Sequence, residues 1–221
     1  MGDSFFSAEE LRVLGLRAYG CNVKISRKCS IYQASSIVLG DNVRVDDFCI
    51  LSGRIKIGNY VHVAAYSALY AGDIGIEIGD FSNISSRVAI YAISDDYSGN
   101  SMTNPMISER YKDLQKEKVS IDRHVIIGTG CTILPGVKIA EGSAVGSMSL
   151  VKKSTEPWTI NAGIPAEKKK MRSRKLLEME KEFSRGGNAH LFQMCGLLDP
   201  NKRRDYIPRN RIMQQICAVS C

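Results

Sequence analysis

An aliphatic residue recurs every six positions along most of this chain, and few folds accommodate that period. The series runs Leu39, Val45, Leu51, Ile57, Val63, Leu69, pauses, and continues as Ile78, Ile84, Ile90. After a gap it returns in the same step as Ile121, Ile127, Ile133, Ile139, Val145, Val151. Four residues after most of these stands a compact side chain: Val43, Cys49, Val61, Ser67, Ser82, Val88, Val125, Cys131, Val137, Ser143, Ser149. A helix repeats about every 3.6 residues and a paired strand about every two, so neither explains a six. A coil with three short straight sides does. The large aliphatic points inward on each side, and the small residue fits the tight inner corner. Turn formers Gly40, Asp41, Asn42, Gly58, Asn59, Gly79 and Asp80 follow the aliphatic, where the chain must bend. Such a unit stacks on itself, so the expected fold is an all-β solenoid.

The chain's 221 residues are ample for one continuous core plus an appendage. No stretch approaches the roughly 18 apolar residues of a membrane span, and the first residues lack a signal peptide's cationic start. The seven cysteines show no CxxC spacing. Cys49 and Cys131, with Cys29, fall in the inward small slot and read as reduced core thiols, hence a cytoplasmic protein. Net charge is +7, unevenly placed: residues 167–221 hold 13 basic and 6 acidic side chains, leaving 17 of each in residues 1–166. The run Lys168, Lys169, Lys170, Arg172, Arg174, Lys175 suits an anionic partner: nucleic acid, an acidic membrane surface touched peripherally, or a phosphate-bearing cofactor.

Residues 1–22 form an N-terminal cap, with a short capped helix expected over 4–19 from Ser7-Ala8-Glu9-Glu10. Coils then run over 23–166, broken by a polar inserted loop at 94–118. The register on both sides is intact, and long loops in compact domains are usually functional or disordered. Residues 167–221 form a basic helical extension, with a helix over 167–184 stopped by Gly186-Gly187 and weaker periodicity around 190–198.

Three segments carry a family resemblance: Ile121-Asp122-Arg123-His124-Val125-Ile126-Ile127-Gly128, Ile133-Leu134-Pro135-Gly136-Val137-Lys138-Ile139 with Ala144-Val145-Gly146-Ser147, and Ala162-Gly163-Ile164-Pro165-Ala166. With them the chain resembles the hexapeptide-repeat acyltransferases, in particular galactoside O-acetyltransferase-like and polysaccharide-biosynthesis acetyltransferases. The resemblance implies a left-handed parallel β-helix, a homotrimer, and acetyl-CoA lying in a groove between coils. It implies acetyl transfer to a sugar hydroxyl, with a nucleotide-linked amino sugar as the alternative acceptor. Thr129 and Ser147 match positions where the family places pantetheine contacts. Lys152, Lys153, Lys168, Lys170 and Arg172 stand where the cofactor's phosphates would emerge, and phosphate favours such charge-assisted donors.

Acyl transfer from a thioester needs a base for the acceptor's proton and a donor for the developing oxyanion. The family's histidine beside the inserted loop is absent here; Ser94-Asp95-Asp96 stand in its place. His62, fifth after Ile57, points outward among Val61, Ala64, Ala65 and Tyr66, an unusually small and uncharged wall. Asp95, fifth after Ile90, points outward on another side of the triangle. The expected arrangement is His62 as general base, oriented across a trimer interface by Asp95 or Asp96, with either carboxylate alone as the alternative. Tyr97, Asn104 and Tyr111 are candidates to contact a sugar. His124 is in a turn and reads as structural. A zinc enzyme on this fold would need three converging histidines, which the spacing does not supply, so no metal is expected. A non-catalytic scaffold is the remaining alternative, and nucleic-acid binding is disfavoured because the tail lacks interleaved aromatics.

Overall fold

The structure, a computed structural model, describes residues 4–194, with side chains described as far as residue 185. Its body is a parallel β-helix. Strands from successive coils pair in register with the strand one turn away: Arg44–Val45 with His62–Val63, and that strand with Asn83–Ile84. Two long strands, Ile50–Ile57 and Ala68–Ile78, run along two adjoining faces without a break. The pause in the six-residue series is a local excess in the second of these. Ser52 pairs with Tyr70, Gly53 with Gly72 and Ile55 with Ile76, so three extra residues are taken up between Tyr70 and Ile76.

All fifteen aliphatic residues of the six-step series are buried, none more than 3% exposed, and they form one continuous core. Each contributes about 1.5–3 kcal/mol by leaving water. The compact residues four positions on are buried as well, and the serines among them are satisfied: Ser67 Oγ donates to Ser85 O, Ser82 Oγ to Asp122 O and Ser143 Oγ to Glu156 O. A buried hydroxyl without such a partner would be costly, so the hydrogen bonds are what allow serine in this slot.

One corner is marked in seven successive coils by a residue in the left-handed backbone region: Asn22, Asn42, Tyr60, Phe81, His124, Gly142 and Trp158. From Asn42 onward, each N–H in this column donates to the carbonyl of the neighbouring coil at the same corner. Side chains reinforce the ladder, with Asp41, Asn59 and Asp80 each accepting from a backbone N–H of the adjacent coil.

The ends differ from the sequence expectation. The N-terminal helix is only α1 (Ala8–Val13), with the expected Ser7/Glu10 capping box; Gly15, in the left-handed region, follows its end and releases the chain. The coils start earlier than 23, because Ala18–Tyr19 already pairs with Val38–Leu39. Residues 166–171 are not helical. After Gly163 the chain turns back, and Ala166–Met171 pairs antiparallel with Thr159–Gly163, capping the last coil. The final helix, α2 (Leu176–Met194), begins after this strand and continues through Gly186-Gly187. Each glycine costs a helix about 1 kcal/mol but does not forbid it. Positions 195–198 of the weakly periodic segment lie outside the described residues.

Candidate active site

The inserted segment leaves the coil on a narrow neck, where Ile93–Ser94 pairs antiparallel with Gln115–Lys116. The coil resumes beneath it in register, Val119–Ile121 against Ile76–Ile78 and Ala89–Ile90 against Thr132–Ile133. Between loop and coil lies a cleft of about 530 Å³ lined by Tyr91, Ser94, Asp95, Tyr97, Asn104 and Lys112, with Thr132 and Leu134 as its floor. Three of the expected site residues, Asp95, Tyr97 and Asn104, therefore meet in one place. Tyr111 lines an adjoining cleft of about 460 Å³ with Arg110 and Lys112.

The two neighbouring aspartates are in different situations. Asp96 accepts from the N–H and hydroxyl of both Ser98 and Ser101, which hold its pKa down to about 2. It is the keystone of the loop. The Asp95 carboxylate accepts a long bond from Asn104 N at 3.4 Å and faces the cleft. Tyr91 stays a neutral phenol, raised by burial and by the nearby Tyr70 and Tyr97. Lys112, missed in the sequence, has a side chain only 5% exposed and pairs with the exposed Glu109 at 2.6 Å, giving the cleft a cation.

Beside this cleft runs a second corner of the coil whose first two positions are small in four successive turns, Ala64-Ala65, Ser85-Ser86, Gly128-Thr129 and Gly146-Ser147, while its left-handed third position holds Tyr66, Arg87, Gly130 and Met148. Met148 N donates to Thr129 O across it, so the two expected pantetheine contacts, Thr129 and Ser147, are neighbours in one column. Gly128 is required there. A Cβ on it would lie 2.5 Å from Ser147 N. The corridor continues to Ala162-Gly163 at the end of the coils, where Gly163 N donates to Ser149 Oγ.

The basic residues at the exit are less uniform than the sequence suggests. Lys152, Lys153 and Lys170 are exposed, and Lys168 is held by Glu156 at 2.6 Å. Arg172 is turned inward: its Nη1 donates to the carbonyls of His124 and Gly142 at 2.8 Å and of Ser143 at 3.4 Å. That guanidinium fastens the exit hairpin to the coil.

His62 points outward as expected, but both ring nitrogens are engaged within its own chain. Nε2 lies 2.7 Å from Asp46 Oδ2 and Nδ1 lies 3.1 Å from Asn83 Oδ1. Asp46 is also held by Arg44 Nε at 2.6 Å. Burial pushes the Asp46 carboxyl up, yet the bonds from His62 and Arg44 outweigh it and its pKa is lowered. Asp95 and Asp96 are not among the partners of His62 in this chain. His124 is structural: it is 6% exposed, stacks on Phe81 and lies 2.8 Å from Glu180 on α2. Cys29, Cys49 and Cys131 are free thiols, but burial raises the first two to about 12 and 11 and the third as well, so none is a ready nucleophile. Among the described residues no cluster of three His, Cys, Asp or Glu is placed to hold a metal, and no helix is long and apolar enough to cross a membrane.

No family model matches the chain. A dTDP-4-amino-4,6-dideoxy-D-glucose acyltransferase of Escherichia coli is 46% identical over 177 residues, covering 79% of this chain and 92% of that protein. A chloramphenicol acetyltransferase of Klebsiella aerogenes is 29% identical over 66% of this chain and 78% of its own length. Among solved structures, a variant of AntD, an N-acyltransferase from Bacillus cereus, in complex with dTDP-4-amino-4,6-dideoxyglucose and coenzyme A, is 51% identical with a TM-score of 0.82, covering 84% of this chain and 99% of that one. AntD has also been solved with dTDP and 3-hydroxybutyryl-CoA. Its solved forms include variants at one serine and at one aspartate, which are ten positions apart in that chain.

Proposed function

Because the chain belongs to the hexapeptide-repeat acyltransferases of left-handed β-helix fold and draws its acyl group from acyl-CoA, we propose that it acylates the amino group of a dTDP-linked amino sugar. This reverses the order of the two acceptors expected from the sequence, where a sugar hydroxyl came first. The observation that carries the reading is the cleft under the inserted loop. It sets an uncommitted carboxylate, Asp95, beside aromatic and amide side chains and the buried cation of Lys112, next to the small-residue corridor.

In this reading the pantetheine arm lies along Ser85-Ser86, Gly128-Thr129 and Gly146-Ser147, where backbone amides are accessible because the side chains are short. Lys152, Lys153, Lys168 and Lys170 meet the cofactor's phosphates; Arg172 is spent on the hairpin and drops out. Lys112 answers the acceptor's diphosphate, and Tyr97, Asn104 and Tyr111 frame the sugar. Asp95 receives the acceptor's ammonium and takes its proton. The freed amine attacks the thioester carbonyl, the C–N bond forms, and the C–S bond breaks as the proton shed by the acylated nitrogen passes to the leaving thiolate. Ser85 is the donor to the transient oxyanion. The spacing supports this choice, since Ser85 and Asp95 are ten apart, as are the serine and aspartate varied in AntD. Ser86 and Asp96 share that spacing, but Asp96 is held by the loop's own serines. A homotrimer in the cytoplasm is the assembly and setting proposed for it.

The test is thiol release from acetyl-CoA and 3-hydroxybutyryl-CoA with dTDP-amino sugars and their hydroxyl counterparts as acceptors. Turnover with the amines alone is expected. Turnover restricted to the hydroxyl acceptors would restore O-acylation as the activity.

A further inference from the structure

Four outward side chains on one face and its edge form a continuous line. Asp46 Oδ2 is 2.7 Å from His62 Nε2, His62 Nδ1 is 3.1 Å from Asn83 Oδ1, and Asn83 Nδ2 is 3.5 Å from Ser85 Oγ. The coil creates the line. Arg44, His62 and Asn83 stand directly above one another in paired strands, while Asp46 and Ser85 are the first residues of the adjoining corner. Arg44 Nε fixes the other oxygen of Asp46, so the line is anchored at its far end. Its near end is the hydroxyl that opens on the small-residue corridor.

We infer that Asp46, His62 and Asn83 are positioning residues for Ser85, rather than a base system for the acceptor. This rests on the reading of the corridor and cleft given above. The direction of the hydrogen bonds supports it. When both ring nitrogens carry a proton, Nε2 donates to Asp46 and Nδ1 to Asn83 Oδ1, and the Asn83 amide presents Nδ2 to Ser85. Ser85 Oγ then accepts from the amide, and its own O–H is left to point into the corridor. A hydroxyl so oriented meets the developing oxyanion already in place, which is where a hydrogen bond lowers a barrier most effectively. In that form His62 donates from both ring nitrogens and keeps no lone pair with which to take a proton from the acyl acceptor. Asn83 Nδ2 to Ser85 is the longest link, and it is the one that the experiment addresses.

A double-mutant cycle separates a positioning role from a merely structural one. Asn83→Ala is made in the native background and in Ser85→Ala, with kcat and the KM for acyl-CoA measured for each. In the native background kcat should fall about tenfold with KM within about twofold, and in Ser85→Ala the same change should cost less than about twofold. His62→Ala should show the same pattern. An equal fall in both backgrounds, no fall in either, or a change confined to KM would overturn the inference. If the native protein acylates none of the amino sugars, the proposed function fails first. Failure of the inference alone is seen as an active enzyme whose kcat ignores Asn83.

Discussion

The corner marked by Tyr60, Phe81 and His124 and the corner marked by Tyr66, Arg87, Gly130 and Met148 are built on the same stacked backbone, with hydrogen bonds of the same kind between coils. Their side chains diverge toward the later coils. At the first, Tyr60 and Phe81 stack at 4.9 Å, Phe81 and His124 at 5.3 Å, and Trp158 covers Gly142. Phe183 of α2 meets this stack edge-on at 5.2 Å from Tyr60, and Glu180 binds both Arg123 and His124. At the second the stacking ends with one pair, Phe48 on Tyr66 at 4.9 Å; beyond it the left-handed position holds Arg87, Gly130 and Met148 beside the small residues Ser85-Ser86, Gly128-Thr129 and Gly146-Ser147. A β-helix can therefore fill a corner with packed aromatics or leave part of one thin for a ligand, and this chain does one of each.

If that division is right, the open side should lose function without losing fold, and the filled side the reverse. The largest effect is expected from Asp95→Asn. It should lower kcat by about 100-fold or more, the usual scale for loss of a positioned base, with the melting curve unchanged. Next is Gly142→Ala on the filled side. The new methyl overlaps the Trp158 indole, and the position has φ +68, so about 2–3 kcal/mol of stability should be lost. Thermal unfolding would register that as a fall of several degrees, with KM for acyl-CoA unaffected. Ser147→Tyr should do the converse: the thin corner is filled, affinity for CoA by calorimetry drops about tenfold, and the melting temperature stays within about 2 °C.

The smallest effect is set by pH. The Asp96 carboxyl has a folded pKa of about 2, below the ordinary 3.8, so its bonds to Ser98 and Ser101 are fully present above about pH 4. The stability they give the loop declines as pH falls from there and is lost through the folded pKa of about 2. Proteolysis of the loop by an acid-active protease should therefore rise over that window and not between pH 5 and 8. Asp96→Asn should show much of the same susceptibility at every pH.

The core was fully legible because burial in this fold follows the six-residue step, and every residue on it came out buried. The inserted loop was legible as an interruption that left the register intact. Asp95, Tyr97 and Asn104 were each named from the sequence, Asp95 as a partner of His62 and the other two as sugar contacts; that they line one cleft shows only in the structure. His62 was found, but not its partners. Asp46 lies sixteen residues back and Asn83 twenty-one ahead, and they become neighbours only when one coil is laid over the next. Aligning the sequence by whole coils, about eighteen residues long where no insertion intervenes, puts Arg44 beside His62 and supplies the missing signal. Ser85 was hidden because a serine at a turn has no distinctive pattern; its place in a run of small corner residues shows only after that alignment. The exit strand was misread as helix because Lys168, Lys169 and Lys170 carry no period-two alternation, and its partner strand Thr159–Gly163 decides the conformation.

The neck at Ile93–Ser94 and Gln115–Lys116 has one more consequence. Its two strands leave and rejoin a coil whose stacking closes beneath them as though nothing had been inserted. Loop length enters the free energy only logarithmically, so the twenty or so residues above the neck can be exchanged at small cost to the body. The recipient pocket is thus an interchangeable head on a fixed shaft. Chains with this shaft can diverge in what they modify while keeping one way of holding the donor.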